Sequence, residues 1–147
     1  MKSKSFTVEY LGVVNVIKTS IQISDDYDLD NYKDKLYPST HLFDATWDTG
    51  AMVSVISTKV VDELGLIPTG KETVYHGGGN SISYKYLVNI FLPNDLVFAS
   101  LEVLGMPISV DVLIGMDIIS QGDFAITASE GITIFSFQIP SKNKIMF

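Results

Sequence analysis

The chain has 147 residues, 46% of them hydrophobic and 18% charged, which suits one domain with a real core and excludes a generally disordered chain. Its net charge is -7 and no Lys/Arg cluster offsets it, so nucleic acid and anionic membrane surfaces are poor partners. No cysteine is present, which removes disulfides, zinc-thiolate sites and thiol nucleophiles.

Taken in chain order, strand-like runs come first. Basic residues at Lys2 and Lys4 have no apolar run behind them, so no secretion signal is expected and a cytoplasmic location follows as the default. Phe6 to Tyr10 and Val13 to Lys18 are rich in β-branched and aromatic residues that suit a pleated surface. The segment from Ser24 to Thr40 is polar and acidic, and reads as a solvated loop inserted at about residues 24–40. Its Asp26-x-Asp28-x-Asp30 spacing is that of a calcium loop's first turn, but Asn31 replaces the required Gly and Tyr37 the bidentate Glu. No metal site is expected there.

Leu42 to Trp47 forms the next predicted strand, with Trp47 as a packing residue, and Val53 to Ile56 another. Ser57-Thr58 caps a short helix whose Val60, Val61 and Leu64 share a face, ended by Gly65. Thr73 to Ser81 carries Gly77-Gly78-Gly79 and reads as a mobile glycine hairpin. From Ile82 the period is two, with Ile82, Tyr84, Tyr86, Val88, Ile90 and Leu92 on one face. Pro93-Asn94-Asp95 turns the chain into a strand from Leu96 to Val103. A second short helix is predicted from Met116 to Gln121, then strands after Gly122 and from Ile132 to Ile139, with Asp123 as a turn residue. The fold class is all-β with one or two short helices, and residues 1–147 read as a single domain.

Chemistry concentrates at Asp48-Thr49-Gly50-Ala51. A carboxylate at the end of a buried strand, followed by a glycine that permits a tight turn, is poised at the floor of a cleft. The bland alternative is a strand-end turn, because three residues recur by chance. His76-Gly77-Gly78-Gly79 resembles a lipase oxyanion motif, yet the chain has no Gly-x-Ser-x-Gly elbow to go with it. His41 and His76 are the only histidines, and without thiols or a partner they are poor metal ligands. No cofactor is expected.

About sixty residues beyond Asp48 comes Val110-Asp111-Val112-Leu113-Ile114-Gly115-Met116-Asp117. With Asp48 to Ala51 and the triple glycine between, this order resembles the retropepsins, the retroviral-type aspartic proteases and their bacterial relatives. The resemblance covers roughly residues 42 to 139. It implies a closed acid-protease barrel with a flap hairpin, and hydrolysis of peptide bonds by a water held between two carboxylates that share a proton. With one Asp-Thr-Gly per chain, the second carboxylate must come from a second copy, giving a homodimer with Asp48 on the two-fold axis.

The resemblance makes Asp48, Thr49 and Gly50 the catalytic set. Thr49 would bond across the dimer and Gly50 would meet the substrate backbone. Ala51, Met52, His76, Gly77, Gly78, Gly79 and Ile114 are the expected contacts to a peptide or protein substrate. Ala51, with no hydroxyl to offer, implies a less acidic optimum than a serine would. Met52 and Met116 stand where retroviral members carry an Asp–Arg ion pair, and Ser54 and Asp117 where the family places a scaffold hydrogen bond. Family dimers interleave their terminal strands, and Ile132 to Ile139 has the pattern for that. The competing expectations are a non-catalytic peptide-binding or dimerisation module of the same fold, and an unrelated β-barrel with a chance Asp-Thr-Gly.

Overall fold

The computed structural model describes residues 2–29 and 39–147. Strands dominate it: β1 (Lys4–Glu9), β2 (Lys18–Asp25), β3 (His41–Trp47), β4 (Val55–Ser57), β5 (Gly70–His76), β6 (Gly79–Leu92), β7 (Leu96–Met106), β8 (Val112–Ile114), β9 (Asp123–Thr127) and β10 (Ile134–Ile139). Among the described residues two short α-helices, α1 (Thr58–Leu64) and α2 (Met116–Ile119), and one 3-10 turn at Ser129–Gly131 interrupt them. None of the described helices is long and apolar enough to cross a membrane.

One sheet runs β2-β3-β8-β4-β7-β6-β5, and β2 pairs again with β6. That second pairing closes β2, β3, β8, β4, β7 and β6 into a barrel and leaves β5 outside it. Inward-facing residues are those the alternation demands: Ile21 and Ile23 on β2, Phe43 and Ala45 on β3, Val88 and Ile90 on β6, Val112 and Ile114 on β8. Full burial of each aliphatic chain contributes about 1.5–3 kcal/mol. Ile82 to Leu92 does not keep one buried face, however. Tyr86, Val88, Ile90 and Leu92 are buried, while Ile82 is 68% exposed. The reason is that the outer half of β6 leaves the barrel to pair with β5 as a free arm. The arm turns at Gly77-Gly78, with His76 opposite Gly79.

A second sheet, in the order β1-β10-β9, packs its aromatic face on the barrel end. Trp47 is the hub, within 4.9 Å of the Phe135 ring, 5.1 Å of Phe137 and 6.0 Å of Phe124. Its indole N–H donates to the buried Thr19 hydroxyl at 2.9 Å. Trp47 is the packing residue expected.

The predicted strand from Val13 to Lys18 is instead a loop, and β2 starts where that prediction stopped. Val14 N–H donates to the Thr133 hydroxyl and Thr133 N–H to the Gly12 carbonyl, so these groups are satisfied by a loop contact rather than a ladder. Helix α1 behaves as read: Ser57 accepts from Val60 N–H at its start, and Gly65 ends it in the left-handed conformation. The calcium-like spacing runs beyond the described residues at Asp30, Asn31 and Tyr37. Asp26 accepts a 2.6 Å bond from the Ser100 hydroxyl.

Candidate active site

The barrel brings β8 between β3 and β4, parallel to the first and antiparallel to the second. Trp47 lies in register with Ile114, so Asp48 leaves β3 where β8 ends. Asp48 N–H donates to the Ile114 carbonyl at 2.9 Å, which locks the two motifs together through the backbone. The chain then turns tightly, with Ala51 N–H donating to the Asp48 carbonyl at 3.2 Å.

The carboxylate itself accepts the Gly50 N–H through Oδ1 at 2.8 Å. A Cβ at position 50 would lie 3.1 Å from that same oxygen, so glycine lets the amide approach without crowding. Asp48 is half-buried, and Thr49 and Gly50 are exposed. The arrangement is a carboxylate fixed by its own loop and open on its outer side.

Gly115 holds the other half. A Cβ there would come within 2.8 Å of the Ala51 and Val53 carbonyl oxygens, so the two loops can cross only because position 115 has no side chain. Beyond it, Met116 N–H donates to the Ala51 carbonyl at 2.8 Å and Asp117 N–H to the Met52 carbonyl at 3.2 Å. The Asp117 carboxylate accepts both the Ser54 N–H (2.9 Å) and the Ser54 hydroxyl (2.8 Å). Ser54 is fully buried, and its Oγ accepts the Gly115 N–H at 3.1 Å. This network supports the Asp48 loop from below.

The substrate-contact expectations divide. Met52 is 85% exposed, and Gly77, Gly78 and Gly79 sit exposed at the tip of the β5–β6 arm. His76 ends β5, and its side chain lies outside what the structure describes. Ile114 requires correction: its side chain is fully buried in the core and cannot touch a ligand. The half-buried Leu113 occupies the opposite face, paired with Thr46, and strand alternation carries that face on to Asp48. Period two separates Leu113 from Val112 and Ile114, but with all three apolar it does not say which faces inward; the pairing of β8 to β3 and β4 does. The Met116 N–H bonds the Ala51 carbonyl and the Met52 carbonyl takes the Asp117 N–H, and both methionine side chains stay at the surface.

A groove of about 520 Å³ lies between α1, the outer half of β6 and the end of β7, lined by Val61, Ile82, Tyr84 and Met106 among others. Asp48 is not part of its wall.

A family model described as Aspartyl protease matches residues 41–118, more than half of the chain. The chain belongs to the aspartyl protease family. No curated protein matches it. Among solved structures, this aspartyl protease family member is similar to a retropepsin-like aspartic protease from Rickettsia conorii, with a TM-score of 0.55 and 10% identity over 94% of this chain and 96% of that one. It is also similar to the EIAV protease complexed with the inhibitor HBY-793, with a TM-score of 0.52 and 21% identity over 72% of this chain and 86% of that one. At such identities the likeness concerns the fold, and that fold is the closed acid-protease barrel of the retropepsin type.

Proposed function

We propose that the chain, as one domain spanning residues 1–147, is an aspartic endopeptidase that works as a homodimer. The observation that carries this is one Asp-Thr-Gly, held half-exposed by Gly50 N–H and the Ile114 carbonyl on a face with no second carboxylate motif. Two such faces related by a two-fold axis bring Asp48 against its symmetry mate.

In that pair one proton is shared, because two adjacent carboxylates do not both ionise cheaply. The ionised Asp48 takes a proton from a water held between the two, and the water attacks the scissile carbonyl. The protonated partner donates to the carbonyl oxygen as the tetrahedral intermediate forms. A proton then passes to the leaving nitrogen as the C–N bond breaks. Thr49 bonds across the axis beneath the pair. Gly50 and Ala51 present backbone to an extended peptide, with Met52 and Leu113 as apolar side-chain contacts. The β5–β6 arm acts as the flap, its Gly77, Gly78 and Gly79 bringing N–H groups over the ligand, with His76 at its shoulder. The chain's lack of cysteine suits a cytoplasmic setting, which is part of the proposal.

The test is Asp48→Asn, which keeps size and the Gly50 contact but removes the ionisable group. The expected result is an unchanged dimer in sedimentation with loss of all cleavage of a peptide library, self-cleavage included. Residual turnover in that variant sinks the mechanism. A wild-type dimer that binds peptides and cleaves none assigns the fold to a binding module instead.

A further inference from the structure

We propose that the groove between α1 and the β5–β6 arm binds an amphipathic carboxylate, an apolar chain ending in one carboxylate, at a site separate from Asp48. The groove encloses about 520 Å³, inside the range of roughly 300–1,000 Å³ that small-molecule sites occupy. Val61, Ile82, Tyr84, Tyr86, Met106 and Pro107 make its wall mostly apolar. Scattered apolar residues are ordinary at a protein surface, but the exposed Ile82 and Tyr84 stand two positions apart over one hollow.

Two polar groups select the head of the ligand. Tyr86 is only 6% exposed and lines the groove, yet among the described residues its hydroxyl makes no hydrogen bond. A buried tyrosine normally finds a partner for that group. No sealed-in polar side-chain atom lacks a partner among the described residues, so the hydroxyl keeps some access, and the groove supplies it. Its ring owes its place to Gly105, where a Cβ would lie 2.5 Å from Tyr86 Cε2. Burial raises the phenol above the ordinary tyrosine value, with Tyr84 and Asp62 adding to the effect, so it stays a neutral donor. The second group is Lys71, the register partner of Tyr84, with Nζ 5.5 Å from that ring's centroid. No carboxylate pairs with it among the described residues, whereas Lys59 and Lys85 both have one. A carboxylate accepts from the hydroxyl and from the ammonium alike. Asp62, on α1, repels the head and directs it to the arm side, where Lys71 stands.

The site lies behind the arm. Val55 pairs with both Leu104 and Leu113, which puts Leu104 on the face that leads to Asp48. Gly105 and its partner Tyr84 are therefore on the opposite face, with Ile82 and Tyr86. A ligand there packs the arm against α1 without entering the cleft.

Calorimetric titration with hexanoate, octanoate and decanoate, each below its micellar concentration at neutral pH, tests the site. Affinity is expected to rise about fourfold per added methylene until the groove is full. Decanol and decyltrimethylammonium are expected to bind about tenfold more weakly than decanoate, because neither gives both donors an anion. Tyr86→Phe keeps the ring on Gly105 and removes only the hydroxyl; it and Lys71→Gln should each weaken decanoate about tenfold. Ile82→Asp, at an exposed position that the fold tolerates, should abolish binding. Amide exchange in β5 and the outer half of β6 should slow when decanoate is bound. Asp48→Asn should bind decanoate as the wild type does, so the outcome is independent of the catalytic reading. Absence of saturable decanoate binding overturns the site. So does decanol binding as tightly as decanoate, or decanoate affinity unchanged in Tyr86→Phe, Lys71→Gln and Ile82→Asp.

Discussion

Asp117 has no catalytic part in the proposed mechanism, yet it does more for the site than any other side chain around it. Its carboxylate takes both donors of a fully buried serine, and that serine takes the amide of Gly115. Removing it with Asp117→Ala strands the Ser54 N–H in the interior, where an unpaired polar group costs about 1–3 kcal/mol. Chemical denaturation should record a loss of that size, and the Asp48 loop should lose activity beyond what stability explains. Asp117→Asn retains one carbonyl acceptor and is expected to lose less than half as much. Equal losses in the two variants would mean that the charge, not the hydrogen bonding, matters. The Ser54–Asp117 link was legible in the sequence through the family resemblance. Residue orientation at β8 was not: with Leu113 and Ile114 adjacent and both apolar, only the pairing to β3 and β4 decides which is inside.

Among the elements, those with strong local signals match their sequence reading. Ser57 and Gly65 bracket α1, and the glycines mark the arm's turn. β2 was missed over most of its length because Ser20, Gln22 and Ser24 dilute its apolar content, although Thr19, Ile21 and Ile23 keep the period. Asp123 was read as a turn residue, but it heads β9 and gathers the segment after Pro140. Gln138, Ser141, Lys142 N–H and Asn143 all donate to it. The Ser141 hydroxyl, then the Lys142 amide and Gln138, hold its carboxyl far below the usual carboxylate range. A lowered value contributes stability that is present above the ordinary carboxylate range and is lost only as pH falls through the lowered one. The latch therefore holds through any mildly acidic working pH. Amide exchange at Lys142 and Asn143 should stay protected from neutral pH to well below 4, and Asp123→Ala should abolish that protection throughout. Protection lost in the wild type between pH 5 and 4 would contradict the latch.

At the scale of the whole molecule, the proposed homodimer makes dimerisation and catalysis one equilibrium. If each site needs an Asp48 from both copies, the concentration of sites follows that of dimer. Below the dissociation constant the dimer varies as the square of total protein, so specific activity falls in proportion to dilution instead of remaining flat. The net charge of -7 on each copy opposes association, and added salt screens that repulsion over roughly 8–10 Å near physiological ionic strength. Salt should therefore raise specific activity in dilute samples and have little effect in concentrated ones. Activity assays over a hundredfold dilution series, at low and at physiological ionic strength, separate the possibilities. A wild type whose specific activity is constant across that range, while sedimentation shows it falling to monomer, would mean that one Asp48 suffices.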